Sequence, residues 1–259
     1  MQNQLKVALI QSTLVWENPV QNRINLRDKI ETISEPVDLI VLPEMFTTGF
    51  TMNPKDVAES MDGVTVKWMT HIAKEKHSAI VGSCIIKDNE KFYNRLLFVE
   101  PNGKINSYNK RHTFTLAGED KVYESGKDRL VVDYKGWRIC PLVCYDLRFP
   151  VFARNTDDYD VILYVANWPK VRISAWDTLL KARAIENMSY CIGVNRVGLD
   201  SNNYEYSGHS SAYDVLGERI DNIPIGKEAI AIVTLDKMHI SKYRTKLGFL
   251  NDRDTFTLK

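Results

Sequence analysis

Gly136-Trp137-Arg138-Ile139-Cys140-Pro141-Leu142-Val143-Cys144-Tyr145-Asp146-Leu147-Arg148-Phe149-Pro150 is the stretch on which the fold turns. Its first half, Trp137 to Val143, reads as a buried strand. The apolar run then ends abruptly in Cys-Tyr-Asp, followed by Arg and by a Pro that suits the first turn of a helix. A cysteine at the tip of a strand, just before a turn, is held still and yet remains reachable. The turn offers unpaired backbone N–H groups to a developing oxyanion, and a helix start adds a favourable dipole. The plain alternative makes Cys144 a small core residue, since free cysteine is among the most buried residue types. Two other stretches, around residues 44 and 110, weigh against it.

Composition bounds the answer first. The chain has 259 residues with 44% apolar and 26% charged side chains, enough for a full core and ordinary for a soluble protein. No linker, repeat or low-complexity block divides it, so one domain over 1–259 is expected. The net charge of +1 gives no reason to expect nucleic acid or a membrane surface as partner. Met1-Gln2-Asn3-Gln4 is polar and leads straight into a strand, with no signal-peptide pattern and no 18-residue apolar run; the cytoplasm is the expected location. Cys140 and Cys144 lack a second ligand pair, and the five histidines form no H-x3-H or HExxH pair, so no metal is expected. GxGxxG and the P-loop are missing too, which leaves a nucleotide cofactor unsupported. Few histidines also means that the base for a Cys144 nucleophile need not be one.

Working outward, Leu5–Gln11 reads as a strand. Asn18-Pro19-Val20-Gln21 reads as a capped helix start, with a helix to about Ser34 and Val20, Ile24 and Ile30 inward. Asp38–Leu42 is a short buried strand stopped by Pro43, and Glu44 follows at once. A carboxylate just past such a strand lies at the carboxyl end of a sheet, where α/β folds place their sites. Met45, Phe46 and Phe50 make the following loop unusually apolar for a solvated one. A helix over Thr65–Lys76 carries Val66, Met69, Ile72 and Ala73 on one stripe, and Ala79–Ile86 is a strand. Asn94–Val99 and Ile105–Tyr108 form a hairpin across Pro101-Asn102-Gly103. Lys110 comes at its end, in Asn109-Lys110-Arg111-His112. Leu116–Gly126 is a loop containing Glu119. Arg129–Tyr134 pairs with Trp137–Val143, and a short helix covers Phe149–Asn155. Val161–Ala166 and Cys191–Val197 are strands around a helix from about Ser174 to Asn187. Gly208–Tyr213 and Arg219–Ile223 form a third hairpin. Ala229–Leu235 is the last main strand, Asp236 caps a helix to about Lys246, and Phe249–Lys259 is a polar tail. Mixed βα units and hairpins fit two sheets with outer helices better than one doubly wound sheet.

Glu44, Lys110 and Cys144 thus follow three strand ends. Their contexts, Leu42-Pro43-Glu44, Asn109-Lys110-Arg111-His112 and Leu142-Val143-Cys144-Tyr145-Asp146-Leu147-Arg148-Phe149-Pro150, resemble the nitrilase superfamily of carbon–nitrogen hydrolases. Ala166-Asn167-Trp168-Pro169, Ala182-Arg183-Ala184-Ile185-Glu186-Asn187 and Gly193-Val194-Asn195-Arg196 extend the resemblance along the chain. Glu44–Phe50 and Trp176–Asn187 are similar to the omega-amidase branch. The resemblance implies a four-layer αββα sandwich, a homodimer, no metal or cofactor, and a Glu44–Lys110–Cys144 triad. It implies Glu119 as a fourth polar member and the Tyr145 backbone N–H as an oxyanion donor beside Lys110. Phe46, Phe50, Phe114 and Trp168 would shield the site from bulk water. Asp146 and Arg148 would form a buried pair bracing the Cys144 turn. The implied reaction is hydrolysis of the terminal amide of a short 2-oxo dicarboxylic acid through a thioester. Such an anionic substrate needs a further cation, with Arg111, Arg172 and Arg196 as candidates.

Three rival readings stand beside this one. The chain would cleave another linear amide, a carbamoyl amine or a nitrile; or it would be a silent binding protein with the same fold; or Cys140 and Cys144 would form a redox pair. The last is disfavoured because four strand residues at about 3.3 Å each hold the two thiols about 13 Å apart.

Overall fold

The structure, a computed structural model, describes residues 2–257. Met1, Leu258 and Lys259, the outermost residues of the expected lead and tail, lie outside the described residues. The chain opens with β1 (Gln4–Gln11), α1 (Pro19–Glu31), β2 (Leu39–Val41), α2 (Val64–Lys76), β3 (Ala79–Asp88), β4 (Lys91–Val99) and β5 (Ile105–Asn109). It continues through β6 (Val132–Tyr134), β7 (Trp137–Val143), a 3-10 turn over Cys144–Arg148, α3 (Pro150–Ala153), β8 (Val161–Ala166), α4 (Ile173–Asn187) and β9 (Tyr190–Asn195). It closes with β10 (Val197–Leu199), β11 (Glu205–Ser207), β12 (Ser211–Tyr213), β13 (Ala229–Asp236) and α5 (Lys237–Leu247).

Two sheets result. One is six-stranded in the order β13-β1-β2-β3-β4-β5, and the other is five-stranded in the order β12-β9-β8-β7-β6. Side-chain alternation explains how they stack. On β1, Leu5, Val7 and Leu9 join a core shared with Trp137, Ile139 and the rest of the second sheet, whereas Ala8 and Ile10 join Leu26 and Ile30 of α1 and Met69 and Ile72 of α2. The same split divides Leu96 and Phe98 from Leu97 and Val99 on β4. Period-2 strands buried on both faces read as continuous apolar runs, and each face meets a different layer. The expected αββα sandwich is the observed one. Gly193 on β9 lets α4 pack close on the outer face: a Cβ there would stand 2.5 Å from Leu180 Cδ1 and 2.6 Å from Trp176 Cζ2. Pro141, which lacks an N–H, falls where β6 no longer reaches β7, their pairing ending at Ile139.

Several expectations need correction. α1 stops at Glu31, and Val20 and Ile24 are exposed; Asn22, Leu26 and Ile30 form its buried face. Asn22 is inside because its amide serves loop backbone, accepting from Val15 N at 2.7 Å and donating to Val15 O and Thr47 O, each at 2.6 Å. Asn18 caps as expected through Gln21 N, but the Gln21 side chain turns to Asn25 and closes no capping box. The helix after Pro150 is only one turn. β9 ends at Asn195, and Val197–Leu199 leaves to pair with Glu205–Ser207. The third hairpin is short, with one bridge between Tyr213 and Arg219 and an Ile220 N–Ala212 O bond at 2.8 Å, while Ser211–Tyr213 also pairs with β9 along its other edge.

Candidate active site

Four strands deliver their following residues to one place. Glu44 comes after β2, Lys110 after β5, Cys144 after β7 and Asn167 after β8. All four lie at carboxyl ends, on the rim where the two sheets meet.

The turn after β2 bends sharply. Met45 takes φ +42°, an unfavourable region for a non-glycine residue, and is held there by Met45 N donating to Ser83 Oγ at 2.9 Å and Phe46 N to Ser83 O at 3.0 Å. This swings the Glu44 carboxylate inward, where it is fully buried. Its Oε1 accepts from Lys110 Nζ at 2.9 Å and from Asn94 Nδ2 at 2.8 Å, and its Oε2 accepts from Asn167 N at 2.8 Å. Lys110 Nζ donates in turn to Glu119 Oε1 at 3.0 Å and Oε2 at 2.8 Å. Glu119 is fully buried as well and also accepts from Phe114 N, which pins the loop carrying Phe114. One ammonium is thus shared by two carboxylates, with Asn94 bridging both at 2.8 and 3.2 Å. Burial pulls the Lys110 ammonium down, but Glu119 and then Glu44 outweigh it and hold its pKa well above the usual value. Burial pushes the Glu119 carboxyl up against the pull of Lys110, and the Glu44 charge adds to the rise.

Cys144 stands across from this cluster. Its φ of +43° repeats the strain seen after Glu44 and points the half-buried thiol out of the sheet. Burial raises the thiol pKa well above the free value, the charge of Glu44 and a hydrogen bond to it raise it further, and Lys110 opposes them. The Cys144 thiol is thus held against Glu44. Asp146 anchors the turn: its carboxylate accepts from Val143 N at 3.0 Å, Tyr108 Oη at 2.8 Å and both His112 N and Nδ1, tying the cysteine turn to the segment after Lys110. Arg183 of α4 braces the same turn through Leu147 O at 2.6 Å.

A cavity of about 670 Å³ opens onto Cys144, Lys110 and Asn167. Phe50, Phe114 and Trp168 line it, together with Tyr145, and Phe50 lies 5.1 Å beneath the Lys110 ammonium. Phe46 does not; it is fully buried and packs on Trp68 at 5.8 Å. Arg148 is not the buried partner of Asp146. It is exposed, lines the cavity and lies 4.9 Å over the Trp168 ring. Of the three candidate cations, Arg172 lines the cavity, stacked 5.1 Å over Phe114. Arg196 is buried and donates to Leu14 O and Leu199 O, and Arg111 reaches Lys127 O. Sequence reasoning missed Asn94 and Asn167 as members of the cluster. An Asn at the buried end of β4, where the residue type is disfavoured, is the one local signal.

The carbon-nitrogen hydrolase family model matches residues 6–245. This chain belongs to the carbon-nitrogen hydrolase family. It is 44% identical over 254 residues to omega-amidase YafV of Yersinia enterocolitica, covering 98% of both chains. To the 2-oxoglutaramate amidase of Bacillus subtilis it is 32% identical over 252 residues, covering 95% of this chain and 96% of that one. Among solved structures, a CN-hydrolase superfamily protein of Xanthomonas campestris with an arsenic adduct in its active site superposes with a TM-score of 0.97 at 40% identity, over the full length of both. As a member of this family the chain is an enzyme, a carbon-nitrogen hydrolase. No helix among the described residues is long and apolar enough to cross a membrane.

Proposed function

We propose that this enzyme hydrolyses the terminal amide of a short 2-oxo dicarboxylic acid monoamide, 2-oxoglutaramate or 2-oxosuccinamate, to ammonia and the 2-oxo diacid. Cys144 is the nucleophile, Glu44 the general base and acid, Lys110 and the Tyr145 N–H the oxyanion donors, and Glu119 the residue that positions Lys110. The observation that carries the reading is the Lys110 ammonium, held at 2.9 Å from Glu44 and 2.8 Å from Glu119 in a buried cluster that meets Cys144 at the base of one cavity. The names of the similar amidases favour the substrate class.

Glu44 takes the thiol proton as sulfur attacks the amide carbon. The carbonyl oxygen becomes an oxyanion beside Lys110 and the first N–H groups of the Cys144 turn, which have no partner within the turn. Each such donor lowers the barrier by about 2.7–4 kcal/mol. Collapse breaks the C–N bond, and Glu44 returns its proton to the departing ammonia, leaving a thioester on Cys144. Water then enters, Glu44 takes its proton, and hydroxide attacks the thioester; the acid leaves and the thiol recovers the proton. Lys110 stays charged throughout because two carboxylates hold it so. Phe50, Phe114 and Trp168 exclude bulk water, and Arg148 and Arg172 face the substrate's free carboxylate.

The chain works in this reading as one domain, a cytoplasmic homodimer. Ammonia release from a panel of small amides, with Cys144→Ala as control, tests the activity. Turnover of 2-oxoglutaramate by wild type and none by the folded variant is expected. Equal turnover by both removes the nucleophile.

A further inference from the structure

Two carboxylates share one ammonium beside Cys144, and all three groups are buried. Every side-chain hydrogen bond that Glu44 and Glu119 make among the described residues is one they accept. Glu44 takes Lys110 Nζ at 2.9 Å, Asn94 Nδ2 and Asn167 N at 2.8 Å each, and the Cys144 thiol. Glu119 takes Lys110 Nζ at 2.8 and 3.0 Å, Asn94 Nδ2 at 3.2 Å and Phe114 N. Accepting from donors alone is how ionised carboxylates bond. The cluster therefore carries one negative charge in excess. Nothing around it cancels that charge. Burial pushes up the pKa of Cys144 and of Tyr123, the other titratable groups at the cluster, so neither supplies charge. Arg148 and Arg172 line the cavity, but Glu17 and Asp200 line it too, and no histidine does.

The reacting end of the substrate is a neutral amide. The product has a carboxyl group at the same place, on the carbon that Cys144 held, and the Cys144 thiol bonds Glu44. Hydrolysis of the thioester adds water across the C–S bond. One proton of that water reaches sulfur through Glu44, and the other stays on the new acid. The reacting end of the product is thus made as an uncharged carboxylic acid. Ionising in place would set a third carboxylate against a single ammonium, and like charges so close in a buried site do not all ionise. We infer that the site holds its product only with that proton, so that losing it to water ejects the acid and bars its return. The amide binds without one. Discrimination between substrate and product at the reacting end therefore grows with pH. The inference rests on the proposed amidase activity.

Inhibition of wild-type ammonia release from 2-oxoglutaramate by the product, 2-oxoglutarate, tests this between about pH 6 and about pH 8, where carboxyls of the product are ionised in water. The ratio of the product's Ki to the KM of the amide cancels pH effects common to both ligands. One proton bound with the product raises that ratio about tenfold per pH unit. A ratio that moves less than about threefold over the whole range, or no inhibition even at the lower pH, overturns the inference and leaves the amidase standing. A wild type that releases no ammonia from 2-oxoglutaramate overturns the activity itself. Calorimetry of Cys144→Ala in two buffers of different ionisation heat counts the protons without turnover. The diacid is expected to take up about one proton and the amide about none; equal counts for the two overturn the inference.

Discussion

Replacing Lys110 by methionine keeps most of the unbranched side chain and removes the ammonium, which isolates what that group does. In wild type it separates two fully buried carboxylates, donating to Glu44 Oε1 at 2.9 Å and to both oxygens of Glu119 at 2.8 and 3.0 Å. Without it the carboxyls face each other across Asn94, and both cannot stay ionised. Removing one partner from a buried ion pair costs about 3–5 kcal/mol when the remaining charge is left uncompensated. The variant relieves part of this by binding a proton, so its carboxyl pKa in the folded state rises above the unfolded value of about 4.3. Between those two values the folded protein holds more protons than the unfolded chain, and stability falls as pH rises. Urea unfolding of Lys110→Met and wild type at about pH 8 and about pH 5.5 reads this directly. The expected loss is about 3–5 kcal/mol at the higher pH. At the lower pH it is smaller by at least about 1.4 kcal/mol, one proton held over one pH unit. A loss below about 1 kcal/mol at pH 8, the range of an exposed pair, or an equal loss at both pH values, would show that the lysine is not the shared cation.

Other perturbations probe the remaining parts. Glu44→Gln removes a charge and a hydrogen bond that raise the Cys144 pKa and leaves Lys110 unopposed by Glu44, so thiolate absorbance, with Cys144→Ala as blank, should appear at lower pH than in wild type while ammonia release is lost; a thiol titrating at the wild-type pH or higher contradicts the pairing. Gly126→Ala places a Cβ 2.0 Å from Asn109 O, next to the Lys110 backbone that Gly126 N bonds at 2.9 Å. It should cost about 1–3 kcal/mol or more in thermal unfolding and lower kcat by moving Lys110; a neutral effect would mean that the loop yields freely. Arg172, among the described residues, pairs with no carboxylate and lines the cavity. Arg172→Gln should raise KM for 2-oxoglutaramate about tenfold more than for a neutral amide of similar length, and equal changes for the two would remove it from carboxylate recognition.

The strand ends were legible because buried strands write themselves as apolar runs, and the residues just beyond them stand out by contrast. Glu44, Lys110 and Cys144 could be noticed on that ground, and mixed βα units and hairpins pointed to two sheets with outer helices, but their reading as a triad in a four-layer sandwich came from the resemblance of their contexts to the nitrilase superfamily. What the sequence hid depends on contacts between distant segments. Val20 and Ile24 look like an inward stripe, yet α1 turns Asn22 inward because two loops need its amide. Arg148 sits two residues from Asp146 and invites a pairing, but Asp146 is filled by Tyr108 and His112, which releases the arginine to the cavity. Asn94 and Asn167 acquire meaning only when β4 and β8 bring them to the same carboxylate. Asn195 likewise clamps the Trp168 turn through Trp168 N and O, a function that no local pattern announces.

Intact-protein and peptide mass spectrometry of enzyme quenched during turnover of 2-oxoglutaramate bears most directly on the convergence of residues 44, 110 and 144. The account expects an acyl adduct, equal in mass to the substrate minus ammonia, on the peptide containing Cys144 and absent from Cys140 and from the Cys144→Ala protein. An adduct on any other residue, or ammonia release by Cys144→Ala at the wild-type rate, would contradict it.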